Sequence, residues 1–350
     1  MTGYGYLRSA LQVNWYLDDF VKRTVGKAYN KEIMSAVKRM ERIEDIFAVE
    51  ELLEELEMLP KALYHTSYTL KRVFSENTLY GYAEQIMKYA GIPAKEIFYF
   101  PLLEHGISYG QKFDPLRYNV KHSYVFQGTY RKRDWEHLNN HKRAYYIGPY
   151  IYYAEPMGSE EDILELKRQL GKTVLLFLPH STEYDHVNFD IDEILKNYLK
   201  KTNDHVDTIL VCVFWKDINE KLLKSIDQKN FKLVTAGFKL DPCFVRRLKT
   251  ILKIADKVIY TSFSSSVGYS HYLGKEIIAD IKQDDLIGKT PAAHLNREMN
   301  QYFNINTNAT NKMKNQYIDK YWGISKIRTP DYIRKIYQYN KNDLIRHIGF

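Results

Sequence analysis

Between Thr173 and Ile278, short β-branched runs alternate with segments of helical period, and nothing else in the sequence constrains the fold as strongly. Thr173 to Leu178 reads as a strand ending in Pro179-His180-Ser181-Thr182, and Ile191 to Lys200 reads as a helix. Thr208 to Trp215 is the next strand, ending at Lys216-Asp217, and Asn219 to Ile226 is the next helix. Lys232 to Thr235 runs into Ala236-Gly237, and Pro242 to Ile254 is helical, with Arg246 and Arg247 on it. Lys257 to Thr261 then predicts a buried strand, followed by a helix over Val267 to Leu273 that Gly274 stops. Such alternation specifies an α/β fold with a doubly wound parallel sheet, whose ligands bind beyond the carboxyl ends of the strands.

The turn after Lys257 to Thr261 holds Ser262, Ser264, Ser265, Ser266 and Gly268. Strand, hydroxyl-rich turn and helix together aim backbone N–H groups and hydroxyls at one point beside the positive end of a helix, which suits a phosphate. The plainer alternative is that the serines only cap the helix. Pro179-His180-Ser181, Trp215-Lys216 and Ala236-Gly237 end strands at the same edge, so four strand ends are expected to share one crevice. Lys216 there either neutralises a phosphate or is solvated, and one of Arg246 and Arg247 is expected to reach the crevice.

Upstream, Ala10 to Phe74 looks mostly helical, with Arg42 to Leu59 as one helix ending before Pro60. Leu79 to Tyr89 is helical and is stopped by Gly91-Ile92-Pro93. Glu96 to Leu103, His122 to Phe126 and Arg143 to Ile147 read as three further strands, with a helix over Arg131 to Leu138. The first strand runs into Glu104-His105-Gly106, where His105 is either a general base or a turn histidine held by Glu104. Gly158 to Asp162 looks like a linker and helix cap. Three units are expected: residues 1–155, helical and then α/β; 156–300, Rossmann-like; and 301–350. In the last, Asn304 to Asn315 reads as a loop and the helices beyond Tyr317 pack back on the first unit.

A net charge of +8 and a pI near 9.0 imply anionic partners of some kind: nucleic acid, an anionic membrane surface or a nucleotide-activated substrate. The basic residues are dispersed and accompany no nucleic-acid motif, so nucleic acid is excluded as the expected partner. Tyrosine is abundant, at 30 residues, which suits sugar or base stacking as well as an ordinary tyrosine-heavy core. Cys212 and Cys243 are the two cysteines, without metal or disulfide spacing, and Cys212 sits in the apolar run Ile209 to Phe214. The N-terminus has no signal-peptide pattern and no uncharged run reaches membrane-spanning length, so a cytoplasmic protein is expected, peripheral at most to an anionic membrane. There is no GxGxxG fingerprint, P-loop lysine motif or GxSxG elbow, which disfavours dehydrogenase, ordinary kinase and serine hydrolase. No DxD pair follows a strand, and Asp190 and Asp192 read as helix-capping residues, so no metal or other cofactor is expected.

PLLEHGISYG, YIGPYIYYA, LPHSTEY, VCVFWKDI, IDKYWG and the long run from Thr235 to Glu276 together resemble bacterial capsule and surface-polysaccharide biosynthesis proteins. These are similar to glycosyltransferases of the two-Rossmann (GT-B) type, and the resemblance spans residues 95–325. It implies two Rossmann-like domains facing a cleft, the C-terminal one holding a nucleotide-activated sugar donor. Ser264, Ser265, Ser266 and Gly268 would then bind donor phosphate, and His180, Ser181, Thr182 and Gly237 would line the nucleotide pocket. Glu104 or His105 would deprotonate a hydroxyl of a saccharide or lipid-linked acceptor. Bacterial sialyltransferases have a comparable layout, but the motif here is EHG rather than two acids and glycine, and Ser181 rather than proline follows His180. Teichoic-acid-type polymerases, which transfer alditol phosphates, also pair a histidine-glycine motif with a serine-rich loop. An epimerase and a non-catalytic nucleotide-binding scaffold of capsule assembly are the remaining alternatives.

Overall fold

The computed structural model describes residues 26–59, 76–107, 123–137, 143–179, 191, 193, 194, 196, 198, 205–218, 222–223 and 231–348. Two parallel sheets organise it. β1 (Leu102–Leu103), β2 (Tyr124–Phe126) and β3 (Ala144–Tyr146) pair in that order. β4 (Thr173–Phe177), β5 (Thr208–Cys212), β6 (Phe231–Val234), β7 (Lys257–Tyr260) and β8 (Glu276–Ala279) form the larger sheet in the order β6-β5-β4-β7-β8. The chain winds outward from β4 in one direction, then returns to place β7 on its other flank. The switch point of the doubly wound sheet therefore falls between β4 and β7.

Local chemistry explains these elements. The strands of the larger sheet are near-continuous apolar runs because both faces are covered. Val174 and Leu176 face a cluster with Ile191, Ile194 and Tyr198, whereas Leu175 joins a second cluster on the opposite side. That second cluster also contains Leu103 and Val125 of the smaller sheet, so one apolar core underlies both sheets. Helix Glu160–Leu170 leads into β4 and begins at the expected cap: Ser159 Oγ accepts from the Asp162 amide, and Asp162 accepts from the Ser159 amide. Helices Phe244–Ile254 and Ser266–Tyr272 precede and follow β7. Gly274, at φ +70°, ends the latter as expected.

Several expectations are corrected. Glu96 to Leu103 is not one strand: Ala94–Tyr99 is a 3₁₀ helix and only Leu102–Leu103 pairs. Pro101 lacks an N–H, and the Asn77 amide binds the carbonyls of Phe100 and Pro101 while accepting from the Leu103 amide. Arg42 to Leu59 is likewise broken, with helices Gly26–Met40 and Val49–Glu57 on either side of a turn in which Asp45 accepts from the Phe47 amide. Both helices pack not on the smaller sheet but beside the larger one, where Ile33, Leu52 and Leu56 share a cluster with Trp215, Phe238 and Leu240. The strand beginning at Thr208 stops at Cys212, and Trp215–Asp217 is a 3₁₀ turn. β8 and helix Pro291–Phe303 had no counterpart in the sequence reading, and the expected loop of Asn304 to Asn315 gives way at Asn311 to helix Asn311–Trp322.

The chain ends in helix Pro330–Ile348, which lies against Tyr82–Tyr89 and Ala94–Tyr99. Asn340, fully buried there, accepts from the Ser123 amide and donates to the Tyr99 carbonyl. Among the described residues no helix is long and apolar enough to cross a membrane.

Candidate functional site

The carboxyl ends of β4, β5, β6 and β7 line one cavity of about 310 Å³. Phe177, Cys212, Gly237 and the run Ser262–Ser266 form its sheet side, and the opposite wall comes from Tyr80, Tyr82, His105 and Ile107. Its position is the one a doubly wound sheet predicts, and the serine turn leaves β7 at the switch point. A larger surface depression, about 650 Å³, is lined by Lys312, Asn315, Gln316, Asp319 and Lys320 of one helix. It touches no strand end and gathers no convergent groups, so it is not the candidate site.

Three segments that are far apart in sequence lock together beside the cavity. The Ile107 amide donates to Ser265 Oγ at 3.1 Å, joining the EHG turn to the serine turn. The Trp322 indole donates to the Ser265 carbonyl at 2.7 Å, and the Tyr130 amide donates to the Lys320 carbonyl at 3.1 Å. Gly128 permits that last approach, since a Cβ there would lie 2.5 Å from the Lys320 and Tyr321 carbonyl oxygens.

Within the serine turn the hydroxyls have different tasks. Ser264 Oγ accepts from the Ser266 amide and pairs with Ser266 Oγ at 2.8 Å, so the capping alternative holds for Ser264. Ser265 opens helix Ser266–Tyr272 without capping it through its side chain; its oxygen accepts across the cavity rim instead, which leaves its proton to donate. The Phe263 amide is held by Asn296 Oδ1 at 2.7 Å, and Thr261 Oγ1 donates to the Phe177 carbonyl at 3.2 Å. These bonds fix the turn against its neighbouring strand and helix.

Glu104 and His105 diverge, as successive side chains of extended chain must. His105 lines the cavity. Glu104 lies behind it, 6 % exposed, accepting from Tyr130 Oη at 2.5 Å and standing 3.7 Å from Arg131 Nη1. Its carboxylate is committed to the half-buried Tyr130 phenol and the buried Arg131 guanidinium. Gly268 does not line the cavity: a Cβ there would lie 2.0 Å from the Trp322 ring, so close indole packing is the reason for glycine. Lys216 is half-buried with Nζ 5.6 Å from the Trp215 ring centre, outside the cavity wall. Neither arginine reaches the crevice. Arg247, 2 % exposed, pairs with Asp241 and donates to the Met40 and Ile43 carbonyls, while Arg246 donates to the Glu155 and Pro156 carbonyls. His180, Ser181 and Thr182 lie outside the described residues.

Tyr80 is a wall residue that the sequence reading passed over. Among the described non-glycine residues it alone has positive φ, 61°, and its amide donates to the Lys239 carbonyl at 2.6 Å. Its ring meets Phe244 edge-on at 4.8 Å and lies 6.3 Å from the His105 ring. Gly81 behind it, φ +66°, has no space for a Cβ, which would fall 2.1 Å from the Pro242 carbonyl oxygen. The dipeptide Tyr80-Gly81 before a helix was the available signal. Burial pushes the phenols of Tyr82 and Tyr269 upward, and the Cys212 thiol up to about 12. None of the three is poised to ionise near neutrality. Among the described residues no group of three His, Cys, Asp or Glu is placed to hold a metal ion.

No family model matches this sequence, and no curated protein matches it. Among solved structures, five chains match. One is the wall teichoic acid polymerase TagF, in a structure soaked with CDPG, with 16% identity and a TM-score of 0.40. The match covers 63% of this chain and 59% of that one, so this chain spans well under two thirds of the polymerase.

Proposed function

We propose that this chain is a transferase of the glycosyltransferase kind, moving a sugar from a nucleotide-activated donor to a hydroxyl of a growing surface polysaccharide. The observation that carries this is the single cavity in which four parallel-strand ends, the serine turn and His105 meet. His105 is the only imidazole on that wall among the described residues, and it takes the proton from the acceptor hydroxyl. The acceptor oxygen then bonds to the anomeric carbon while the bond to the donor phosphate oxygen breaks. Ser265 and neighbouring amides of the turn stabilise the charge gained by the leaving phosphate, and no step needs a metal. Glu104 serves by fixing Tyr130 and Arg131 behind the histidine rather than as the base. The surplus of basic residues would hold a cytoplasmic enzyme near anionic lipid, where a lipid-linked acceptor is presented.

A second reading is favoured by the direct bond between Ile107 and Ser265, which brings the backbone next to the proposed base against the phosphate-holding turn. A nucleophile activated there has phosphorus close by, as transfer of an alditol phosphate from a nucleoside-diphosphate alditol requires. The two chemistries release different products from a diphosphate-linked donor. Attack at carbon leaves a nucleoside diphosphate, and attack at phosphorus leaves a nucleoside monophosphate.

The test is turnover of CMP-, CDP-, UDP- and GDP-linked donors by the purified protein, with released nucleotide identified by chromatography. One donor class is expected to be consumed, and His105→Ala is expected to lower turnover about a hundredfold or more while the fold survives. Ser265→Ala is expected to lower it by roughly the same factor. Cleavage of no donor, or full activity in both variants, rules the assignment out.

A further inference from the structure

The cavity at the strand ends is hydroxyl-rich on one flank and apolar on the other. The serine turn follows β7, whereas Val213 and Phe214 follow β5, Ala236 follows β6, and Phe244 and Leu248 stand on the helix after β6. In the order β6-β5-β4-β7, three strand spacings separate the two flanks, about 14 Å in all. Thr235, the hydroxyl of the second flank, accepts from the Gly237 amide at 3.2 Å. A ligand that spans this cavity therefore places its anion at β7 and an apolar, flat group at β5 and β6.

Tyr80 reaches the second flank from the opposite wall. Its ring centre lies 4.8 Å from that of Phe244, 5.5 Å from Tyr82 and 6.3 Å from His105, and all three also line the cavity. The interplanar angles are 66°, 39° and 58°, so none of these rings stacks in parallel on Tyr80 and covers a face of it. The residue is half-buried while it lines the cavity. Phe177 on the sheet side differs, because it is stacked at 11° on Tyr260 and has one face taken.

Backbone conformation is a second, independent observation. Tyr80 holds a φ of 61°, and the Lys239 carbonyl that accepts from its amide belongs to the chain just beyond Gly237. Non-glycine residues held in this region cluster at ligand-binding sites, where the surrounding structure over-determines them. We propose that Tyr80 is the base-stacking residue of the donor site, its ring lying against the heterocycle of a nucleotide at the β5–β6 flank while the phosphates reach the serine turn at β7. This assignment rests on the reading of a nucleotide-linked donor and deepens it: the platform for the base comes from the wall opposite the larger sheet. Every base presents a π face, so Tyr80 selects for a heterocycle rather than for a particular one.

Calorimetric titration of the full chain with CMP, CDP, UDP and GDP is the measurement, with ribose 5-phosphate as the ligand that has sugar and phosphate but no base. At least one nucleotide is expected to bind more tightly than ribose 5-phosphate. Tyr80→Gly removes the ring at a backbone conformation that glycine adopts without strain, and Tyr80→Asn is a second ringless variant tolerant of positive φ. Both are expected to weaken nucleotide binding about tenfold or more and to leave ribose 5-phosphate binding as in the parent. Tyr80→Phe keeps the ring and is expected to restore nucleotide affinity, whereas Ser265→Ala is expected to weaken both kinds of ligand. Thermal unfolding shows which variants are folded. Unchanged nucleotide affinity in a folded ringless variant, an equal loss for ribose 5-phosphate, or a parent that does not distinguish the two overturns the assignment of Tyr80 and leaves the transferase reading standing. Failure of every nucleotide to bind overturns both. A selective loss in the ringless variants, with no donor turned over by the parent, keeps the Tyr80 assignment and rules out the transferase reading.

Discussion

Gly268 and Tyr80 show how a residue's reason for being where it is can lie outside its local pattern. Gly268 stands in the first turn of the helix that follows the serine-rich turn, where close approach of a phosphate is the natural explanation, yet the neighbour that excludes a side chain is the Trp322 indole. Gly268→Ala puts a methyl group into that ring, so the indole or the helix must move. A loss of ~1–3 kcal/mol in stability is expected from chemical denaturation. Because Trp322 also holds the Ser265 carbonyl, donor turnover is expected to fall with it. An alanine variant as stable and active as the parent would mean that the indole is not what fixes the turn. Tyr80 carries a different local cost, since a left-handed conformation is unfavourable by ~1–2 kcal/mol for a non-glycine residue. Packing on Phe244 and the bond to Lys239 override that preference, and no single-residue propensity could have announced it.

At the scale of elements, legibility followed the length and continuity of the apolar runs. β4, β5, β6 and β7 were readable because a buried parallel strand needs an unbroken β-branched stretch, and so was the gathering of their carboxyl ends. β1 was over-read because EIFYFPLL is just as apolar but contains a proline, and the Asn77 side chain supplies the turn's hydrogen bonds from 26 residues away. β8 was missed because EIIA is too short to stand out after Gly274. Of the cavity's second wall only His105 was named from the sequence, through the resemblance; Tyr80, Tyr82 and Ile107 were not legible, because their places depend on long-range docking of residues 80–82 and 105–107. Lys275, between Gly274 and β8, makes one element-level prediction. Its Nζ donates to the Lys253 and Ala255 carbonyls at the end of helix Phe244–Ile254, and burial, the largest cause, lowers its pKa from 10.5 to about 8. Between those values the unfolded chain binds a proton that the folded chain does not, so this lysine makes stability rise with pH from about 8 toward 10.5. Buried tyrosines act oppositely at the alkaline end, in parent and variant alike. Lys275→Met is therefore expected to flatten the rise in unfolding free energy relative to the parent, and parallel pH profiles for the two proteins would refute the shift.

At the scale of the molecule, the two sheets are joined by more than a linker. Leu103 and Val125 share one apolar cluster with Leu175 and Val258, and Trp322 spans from the last helices to the serine turn. The final helix adds a clasp, in which Asn340 binds the Ser123 amide ahead of β2 and the Tyr99 carbonyl ahead of β1. Asn340→Ala leaves the buried Ser123 amide and the half-buried Tyr99 carbonyl without this partner, and a cost of ~1–3 kcal/mol is expected. The distribution of that cost is the informative part. Trp135 packs with Tyr124 and Phe126 on the smaller sheet, and Trp215 packs with Phe238 beside the larger one. If the shared core makes folding a single cooperative event, Asn340→Ala shifts the denaturation midpoint equally for both reporters, although the lesion lies far from Trp215 in sequence. Fluorescence of variants that retain Trp135 or Trp215 alone measures this directly. A shift confined to the Trp135 signal would show the smaller sheet unfolding by itself, and the site would then be assembled from two independently stable parts rather than from one core.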